Sequence, residues 1–566
     1  MTDWWMYHGN CEHTGLVEGS RIDVENVKEL CLLHDVPLEG PVLSVPAVVG
    51  DFVYVGLANS WAAAGATGGQ LLKISLTSGE PACKPFTWPI DPRDGDTHGF
   101  MGMGCTPAVA TNPGDNKEYV FFSTFNGKLY CLHAEDLTQA WVTDLRNADP
   151  DHNQPVSNTA DNGQPPAAGW SSPVVATDLG SVYVGIGEGE NDALFGFVYC
   201  LNMSSGNVNW IYCTCLFKGD ITGQPKVPNK PNHLPPAVVK GPLPSLFTRA
   251  PSDPPVRGCS VWSSIAYDKI LGRVYCATGN PNPDGPLPTA GFSNGILALD
   301  ALSGECRGFF QPHPKTSYRR TDQDVDFGGS PVVFERDGRR LVAAGCKNGG
   351  FFVLDAASMK LVRWRQLLPY YNDRRQIPTV DPHIGPSDQR YEPSVPNSYS
   401  NAEDEENYSG TYSTPAVHAD MGRIFIGIGG NNYHNVKAGI DYSTTPFMRA
   451  MDWETLDDVW AMDNSDPRRY ILPQPPMYRT PGEAALSSPA VVNDVVFCST
   501  SKIALYAFHA WSGEPLWEDQ LGEQTGGMSG GYGYCLGPAI AGDYVVVGAL
   551  VFGKLGGGVL RIYKLP

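Results

Sequence analysis

One pattern of apolar and polar positions recurs along the chain. It begins with a Ser or Thr before Pro and a short β-branched run, passes a polar turn, and continues as a second alternating strand ending in Gly. A third strand follows, closed by an acidic or polar turn. The Ser/Thr-Pro step holds the chain extended because proline disfavours helix in the residue before it, and the period-two alternation then predicts strands. Copies open at Val45-Pro46-Ala47-Val48, Thr106-Pro107-Ala108-Val109, Ser172-Pro173-Val174-Val175 and Trp262-Ser263-Ser264. Four more open at Ser330-Pro331-Val332-Val333, Thr414-Pro415-Ala416-Val417, Ser488-Pro489-Ala490-Val491 and Gly537-Pro538-Ala539-Ile540.

Eight such units predict an all-β fold, an eight-bladed β-propeller of four-stranded antiparallel blades spanning residues 1–566 as one domain. The eighth copy ends at VLRIYKL without a fourth strand, while the segment 27–36 is a strand candidate with no unit of its own. Pairing the two closes the ring and leaves no free sheet edge. Trp141, Trp210, Trp364 and Trp517 recur in phase after the turns, as inter-blade packing residues would. Long Pro-rich connections, chiefly 215–257 and 367–409, are expected to cap one face of the ring.

Composition narrows the function classes. Sixty Asp and Glu against forty Lys and Arg give a net charge of −20, which repels a polyphosphate, and no basic patch offsets it, so nucleic acid is not expected as a partner. No apolar run is long enough for a transmembrane helix. The N-terminus lacks the basic region and apolar stretch of a secretory signal, so the chain as given reads as cytoplasmic, and as periplasmic or secreted if a signal was removed. The fourteen cysteines are scattered and several fall inside strands, the pattern of buried free thiols. No Cys-x-x-Cys-His haem site is present.

Polar residues at the ends of inner strands converge on a propeller's axis. Glu188 and Glu190 follow such a strand, Asn280 another, and Asp322, Asp324 and Asp326 precede a third. Carboxylates and a carboxamide arriving from separate blades suit a hard, oxygen-liganded cation such as Ca²⁺, although acidic turn residues are more often merely solvated.

Four features in order give this constellation a family resemblance. Trp262 lies eighteen residues before Asn280 of Thr278-Gly279-Asn280-Pro281, with Ala266-Tyr267-Asp268 and Val274-Tyr275 between them. Glu190 precedes a Gly-Phe-Val strand, Asp326 begins Asp-Phe-Gly-Gly-Ser-Pro, and Lys347 begins Lys-Asn-Gly-Gly. The chain resembles the pyrroloquinoline quinone (PQQ)-dependent, or quinoprotein, alcohol dehydrogenases, including their polyvinyl alcohol dehydrogenase branch. The resemblance implies PQQ and Ca²⁺ near the axis, with Glu190, Asn280 and Asp326 as metal ligands and Asp326 also as base toward the alcohol. It places Trp262 under the quinone, Lys347 and Asn348 against its oxygens, and Cys105 at the cofactor as a single residue in place of a Cys-Cys pair. Gly328 stands where the lanthanide-using branch carries a further aspartate, which favours Ca²⁺. The implied partners are a small or polymeric alcohol and a separate electron acceptor. The rival reading is a cofactor-free propeller, serving as a non-redox enzyme such as an isomerase or cyclase, or as a protein-binding scaffold.

Overall fold

The computed structural model describes residues 3–60, 69–88, 100–145, 169–187, 196–214, 238–239, 259–280, 292–312, 326–347, 349–367, 409–430, 448–460, 487–500, 504–520, 537–550 and 557–566. Eight separate antiparallel sheets form the blades of one propeller. Blade 4 shows the plan: Ala266–Asp268 innermost, then Arg273–Ala277, Ile296–Asp300 and Cys306–Phe310 outward. Blade 5 repeats it with Val332–Arg336, Arg339–Gly345, Gly350–Asp355 and Leu361–Gln366. Blade 6 differs among the described residues, with three strands (Ala416–His418, Arg423–Gly427, Met448–Asp452) and an isolated bridge, Met451 to Asp458, beside the third. Helix among the described residues is limited to two single 3-10 turns, Tyr7–Gly9 and Val27–Glu29.

The ring closes as expected, with a shift. The closing strand is Cys31–Leu38, outermost on blade 8 and paired with Gly558–Lys564 from Cys31 opposite Lys564 to Leu38 opposite Gly558. The segment assigned to it at 27–36 starts too early, because Val27–Glu29 turn into a 3-10 helix and Leu30 carries the bend. The cap segments 215–257 and 367–409 lie almost wholly outside the described residues. Within the first, Val238–Val239 extend blade 3 beside Ile211 and Tyr212.

Burial follows position in the blade. Ser181–Ile186, second in blade 3, is buried on both faces because blades stack face to face, whereas Gln139–Asp144, outermost in blade 2, is largely exposed. The phased tryptophans tie one blade to the next. Trp141, Trp210 and Trp517 donate their indole N–H to the carbonyls of Met203, Ala301 and Leu30 at 3.1, 3.1 and 3.2 Å. Trp460, which lacks the preceding Gly, does the same to Ala510 at 3.0 Å. Trp364 stacks on Phe352 instead. Gly206 and Gly304 lie under the first two of these rings at φ 73°, and a Cβ there would sit 2.6 and 2.7 Å from the indole. Glycine is required at both positions by backbone and by space.

The N-terminal segment, which the repeat leaves unexplained, fills the axis. Innermost strands present an unpaired edge to the channel, and residues 4–15 satisfy it blade by blade. The amides of Val48, Val109, Tyr267, Val333, Val417 and Val491 donate to the carbonyls of Trp4, Trp5, Cys11, Glu12, Thr14 and Gly15 at 2.7–2.8 Å. Those six donors occupy one repeat position. Leu16–Val17 then pair in parallel with blade 7. Glu12 also pairs with Arg340, whose guanidinium lies 3.0 Å from buried Asp268. His8 and His13 are buried against the carbonyls of Pro489 and Pro331 at 2.9 and 3.1 Å.

The Ser or Thr that opens blades 3 to 7, followed by Pro in all but blade 4, has a second role. Its hydroxyl accepts the backbone N–H of the same residue in the preceding blade: Thr106 to Ser172 at 2.9 Å, Ser172 to Ser264 at 3.1 Å, and Ser264 to Ser330 at 2.8 Å. Ser330 to Thr414 follows at 2.9 Å and Thr414 to Ser488 at 3.0 Å. These hydroxyls form a belt joining blades 2 to 7. The Tyr7 hydroxyl meets it at Thr414 Oγ1, 2.8 Å, and Ser488 Oγ, 3.3 Å.

Candidate active site

The site is built where first strands begin and second strands end, on one rim of the ring. In blade 5 the strand ladder continues past its formal limits, and the Lys347 amide donates to the Asp326 carbonyl at 2.8 Å. Residues twenty-one apart in sequence are thereby held side by side. In blade 4 the corresponding pairs are Gly279 to Ser260 at 2.8 Å and Cys259 to Asn280 at 2.7 Å, which set Asn280 beside the segment leading to Trp262.

The side chains of two blades then meet. The Trp262 indole N–H donates to Asp326 Oδ2 at 3.2 Å, and Lys347 Nζ lies 3.0 Å from Asp326 Oδ1. Asp326 is 1% exposed and the Lys347 side chain 13%, so the pair sits away from bulk water, each charge compensating the other. Lys347 Nζ is 4.9 Å from the Trp262 ring centroid and 5.5 Å from that of Tyr412, within cation–π range of both. Trp262 remains partly exposed and offers an aromatic surface.

Of the residues singled out in the sequence, the structure brings Trp262, Asp326 and Lys347 into contact and places Asn280 at the end of the neighbouring strand. Glu190, Glu188, Asp322, Asp324 and Asn348 lie outside the described residues. Cys105 has a wall position in blade 2: its Sγ donates to the Ser123 carbonyl at 3.2 Å and accepts the Ser123 N–H at 3.3 Å. Ser171, Ser263, Ser413 and Ser487 accept a second-strand amide of their own blades in the same way. Burial pushes the Cys105 thiol up to about 11, so it is held as a thiol.

Tyr412 was missed. The signal was available in the repeat, because Trp170, Trp262 and Tyr412 each stand two residues before a belt Ser or Thr. Ser260 Oγ and the Asn294 side-chain amide were missed as well. Both side chains are buried with no hydrogen-bond partner among the described residues, and both adjoin Gly279: a Cβ on Gly279 would lie 2.4 Å from Ser260 Oγ, and the Asn294 backbone N–H donates to the Gly279 carbonyl at 3.0 Å. Unsatisfied buried polar atoms beside Asn280 are what a polar ligand would complete. With a half-open indole, an ammonium group and a carboxylate, they suit a planar anionic cofactor with a hard cation. Among the described residues no three His, Cys, Asp or Glu side chains gather as a metal cluster.

The fold is an eight-bladed propeller, and comparison with known proteins shows a likeness to the quinoprotein alcohol dehydrogenases. Residues 248–360 match the family described as Glucose/ethanol/alcohol dehydrogenase, beta-propeller domain. The dehydrogenase subunit of alcohol dehydrogenase (quinone) from Acetobacter aceti is 27% identical over 289 residues, 49% of this chain and 35% of that protein. The chain thus matches about a third of the length of such curated relatives. Among solved structures, quinohemoprotein alcohol dehydrogenase ADHIIG from Pseudomonas putida HK5 aligns with a TM-score of 0.65 and 16% identity, over 100% of this chain and 80% of that one. The quinohemoprotein alcohol dehydrogenase from Comamonas testosteroni aligns at 0.61 and 17%, over the same shares. At these identities the structures establish the fold. No helix among the described residues is long and apolar enough to cross a membrane.

Proposed function

We propose that the chain is a PQQ-dependent dehydrogenase that oxidises an alcohol by hydride transfer to a Ca²⁺-bound quinone, passing the electrons to a separate acceptor. The observation that carries this reading is the contact of Trp262, Asp326 and Lys347 across two blades. When bound, the quinone supplies a two-electron acceptor and the metal ion a Lewis acid.

The chain's own residues have separable tasks. The Trp262 ring gives the cofactor a flat floor and excludes water from it. Asp326 takes the alcohol proton: a carboxylate has about four lone-pair positions, and the indole N–H and the ammonium group occupy one on each oxygen, leaving room for a ligated cation and an incoming hydroxyl. Lys347 holds Asp326 in place and presents its positive charge where negative charge accumulates on the reduced cofactor. Asn280 and Asp326 are the metal ligands on described elements, with Glu190 as the third from the sequence. Asn348 beside Lys347, and Cys105, complete the proposed cofactor contacts.

The test is reconstitution of the purified chain with PQQ and Ca²⁺, followed by the bound quinone spectrum and dye reduction with a panel of alcohols. Saturable binding and alcohol-dependent reduction are expected. Absence of binding at micromolar cofactor rejects the dehydrogenase. It selects the cofactor-free propeller, which draws on the same ion pair, since Asp326 and Lys347 already compensate one another without a ligand.

A further inference from the structure

The belt of Ser/Thr hydroxyls does more than join blades. Each aromatic of the rim is anchored just above it: Trp262 is two residues from Ser264, and Tyr412 two from Thr414. Asp326 is four residues from Ser330. The bond from Ser264 N–H to Ser330 Oγ, 2.8 Å, thus joins the same two chain segments as the bond from Trp262 Nε1–H to Asp326 Oδ2, 3.2 Å, two residues along one and four along the other. Likewise the bond from Ser330 N–H to Thr414 Oγ1 joins the same two blades as the contact of Lys347 with Tyr412. Blades 4, 5 and 6 are separate sheets with no strand pairing between them among the described residues. Side-chain packing between blades is compliant by tenths of an ångström, whereas a hydrogen bond to a buried backbone amide fixes a distance.

We infer that Ser330 is a positioning residue for the site: its hydroxyl sets the spacing of blade 4 from blade 5, and through it the reach from Trp262 to Asp326. The inference rests on the proposed cofactor site for one of its two readouts and is independent of it for the other. Ser330 is buried, and its Oγ accepts from Ser264 while its own N–H donates onward to Thr414. Removing the hydroxyl leaves the fold's other blade 4 to blade 5 ties intact. Arg273 and Tyr275 still donate to the Ala356 carbonyl, and Arg340 still pairs with Asp268, all nearer the hairpin end of the blades. The loss is thus localised to the rim that carries the site, where displacements of about 0.5–1 Å are enough to lower binding and rate by tenfold or more.

The repeat supplies an internal control. Ser172 makes the equivalent bond between blades 2 and 3, away from the contact of Trp262 with Asp326. Ser330→Ala and Ser172→Ala are expected to lower the melting midpoint alike, since each removes one buried acceptor. Ser330→Ala is expected to weaken PQQ binding about tenfold or more in the Ca²⁺-loaded protein, read from the quinone absorbance, and it alone is expected to shift the Trp262 emission of the cofactor-free protein, since the Ser172 bond ends at Thr106, beside Cys105 and away from Trp262. That emission is obtained by difference against Trp262→Phe in each background. Ser330→Thr restores the acceptor, as threonine already does at Thr414, and is expected to restore both signals; Ser330→Cys, a weaker acceptor of similar size, gives an intermediate if the alanine variant does not fold. Equal binding and equal Trp262 emission in the Ser330 and Ser172 variants overturn the positioning role. If the wild-type chain binds no quinone, the proposed function falls, and the Trp262 emission still decides this inference.

Discussion

Acidification should loosen the ring at its axis, through His13. The residue sits in the N-terminal segment, 1% exposed, with Nδ1 3.1 Å from the Pro331 carbonyl and its ring edge-on to Tyr7 at 5.0 Å. Neutral imidazole satisfies that arrangement by donating Nδ1–H to the carbonyl, a tautomer inferred from the partner. Protonation would add a charge in a dry channel beside His8, and burial, then the nearby His8, lower the His13 value from 6.5 to about 3. A histidine depressed in the folded state favours the unfolded chain whenever it is protonated there. Its contribution is intact above pH 6.5 and declines as pH falls toward 3. The loss is RT ln[(1 + 10^(6.5−pH))/(1 + 10^(3−pH))], about 2 kcal/mol at pH 5 and negligible at pH 7.5. His13→Asn is the variant of choice: asparagine tolerates the φ of 60° found here and its Nδ2–H can replace Nδ1–H toward Pro331. It costs some packing at every pH but removes the titration. Urea unfolding of both proteins from pH 7.5 to 5 should show the wild type losing about 2 kcal/mol relative to the variant. Glu12, raised by burial, is present in both proteins and cancels in the difference, while His8, also lowered by burial and coupled to His13, titrates more easily in the variant and narrows the gap. Parallel stability profiles would refute the assignment of His13 as a buried neutral ring.

Three further outcomes follow from the site. Asp326→Asn should keep quinone binding and lower alcohol-dependent dye reduction by about 10²–10⁴-fold, the usual worth of a positioned base; normal turnover removes that role. Lys347→Met leaves the Asp326 carboxylate buried beside an indole with its cation gone, and should destabilise the chain by about 3–5 kcal/mol in urea unfolding at neutral pH. A loss below about 1 kcal/mol would show that other groups compensate the carboxylate. Gly328→Asp should lower the melting midpoint without adding a terbium site, because a Cβ at residue 328 would lie 2.5 Å from the Thr411 carbonyl and 2.9 Å from the Tyr412 Cα. Sensitised terbium emission stronger than that of the wild type would contradict it.

Much of the architecture was legible in the chain because propeller strands pair with their sequence neighbours. Alternation, Ser/Thr-Pro steps and Ser-Gly turns recur locally, so blade number, strand order and the tryptophan ties could be counted. The closing strand was also readable, since the eighth unit lacked an outer strand, although its start was placed four residues early where Val27–Glu29 coil into a 3-10 turn. Trp262, Asp326 and Lys347 stood out through their place in the repeat and their family spacing. Their mutual contact did not, because residues 262 and 326 belong to different sheets and no local rule sets the angle between blades.

The sequence by itself determined the repeat, and with it which residues face the axis. Only the tertiary structure decided what fills that axis and what fixes the distances across it. Residues 4–15 have no strand periodicity because the carbonyls of Trp4, Trp5, Cys11, Glu12, Thr14 and Gly15 each serve a different blade around a circle, while those of Met6, His8 and Asn10 close local turns. The Ser and Thr that open blades 3 to 7 looked like turn residues for the same reason: their hydroxyls act on an amide 66 to 92 residues away, a partner that exists once the ring has closed.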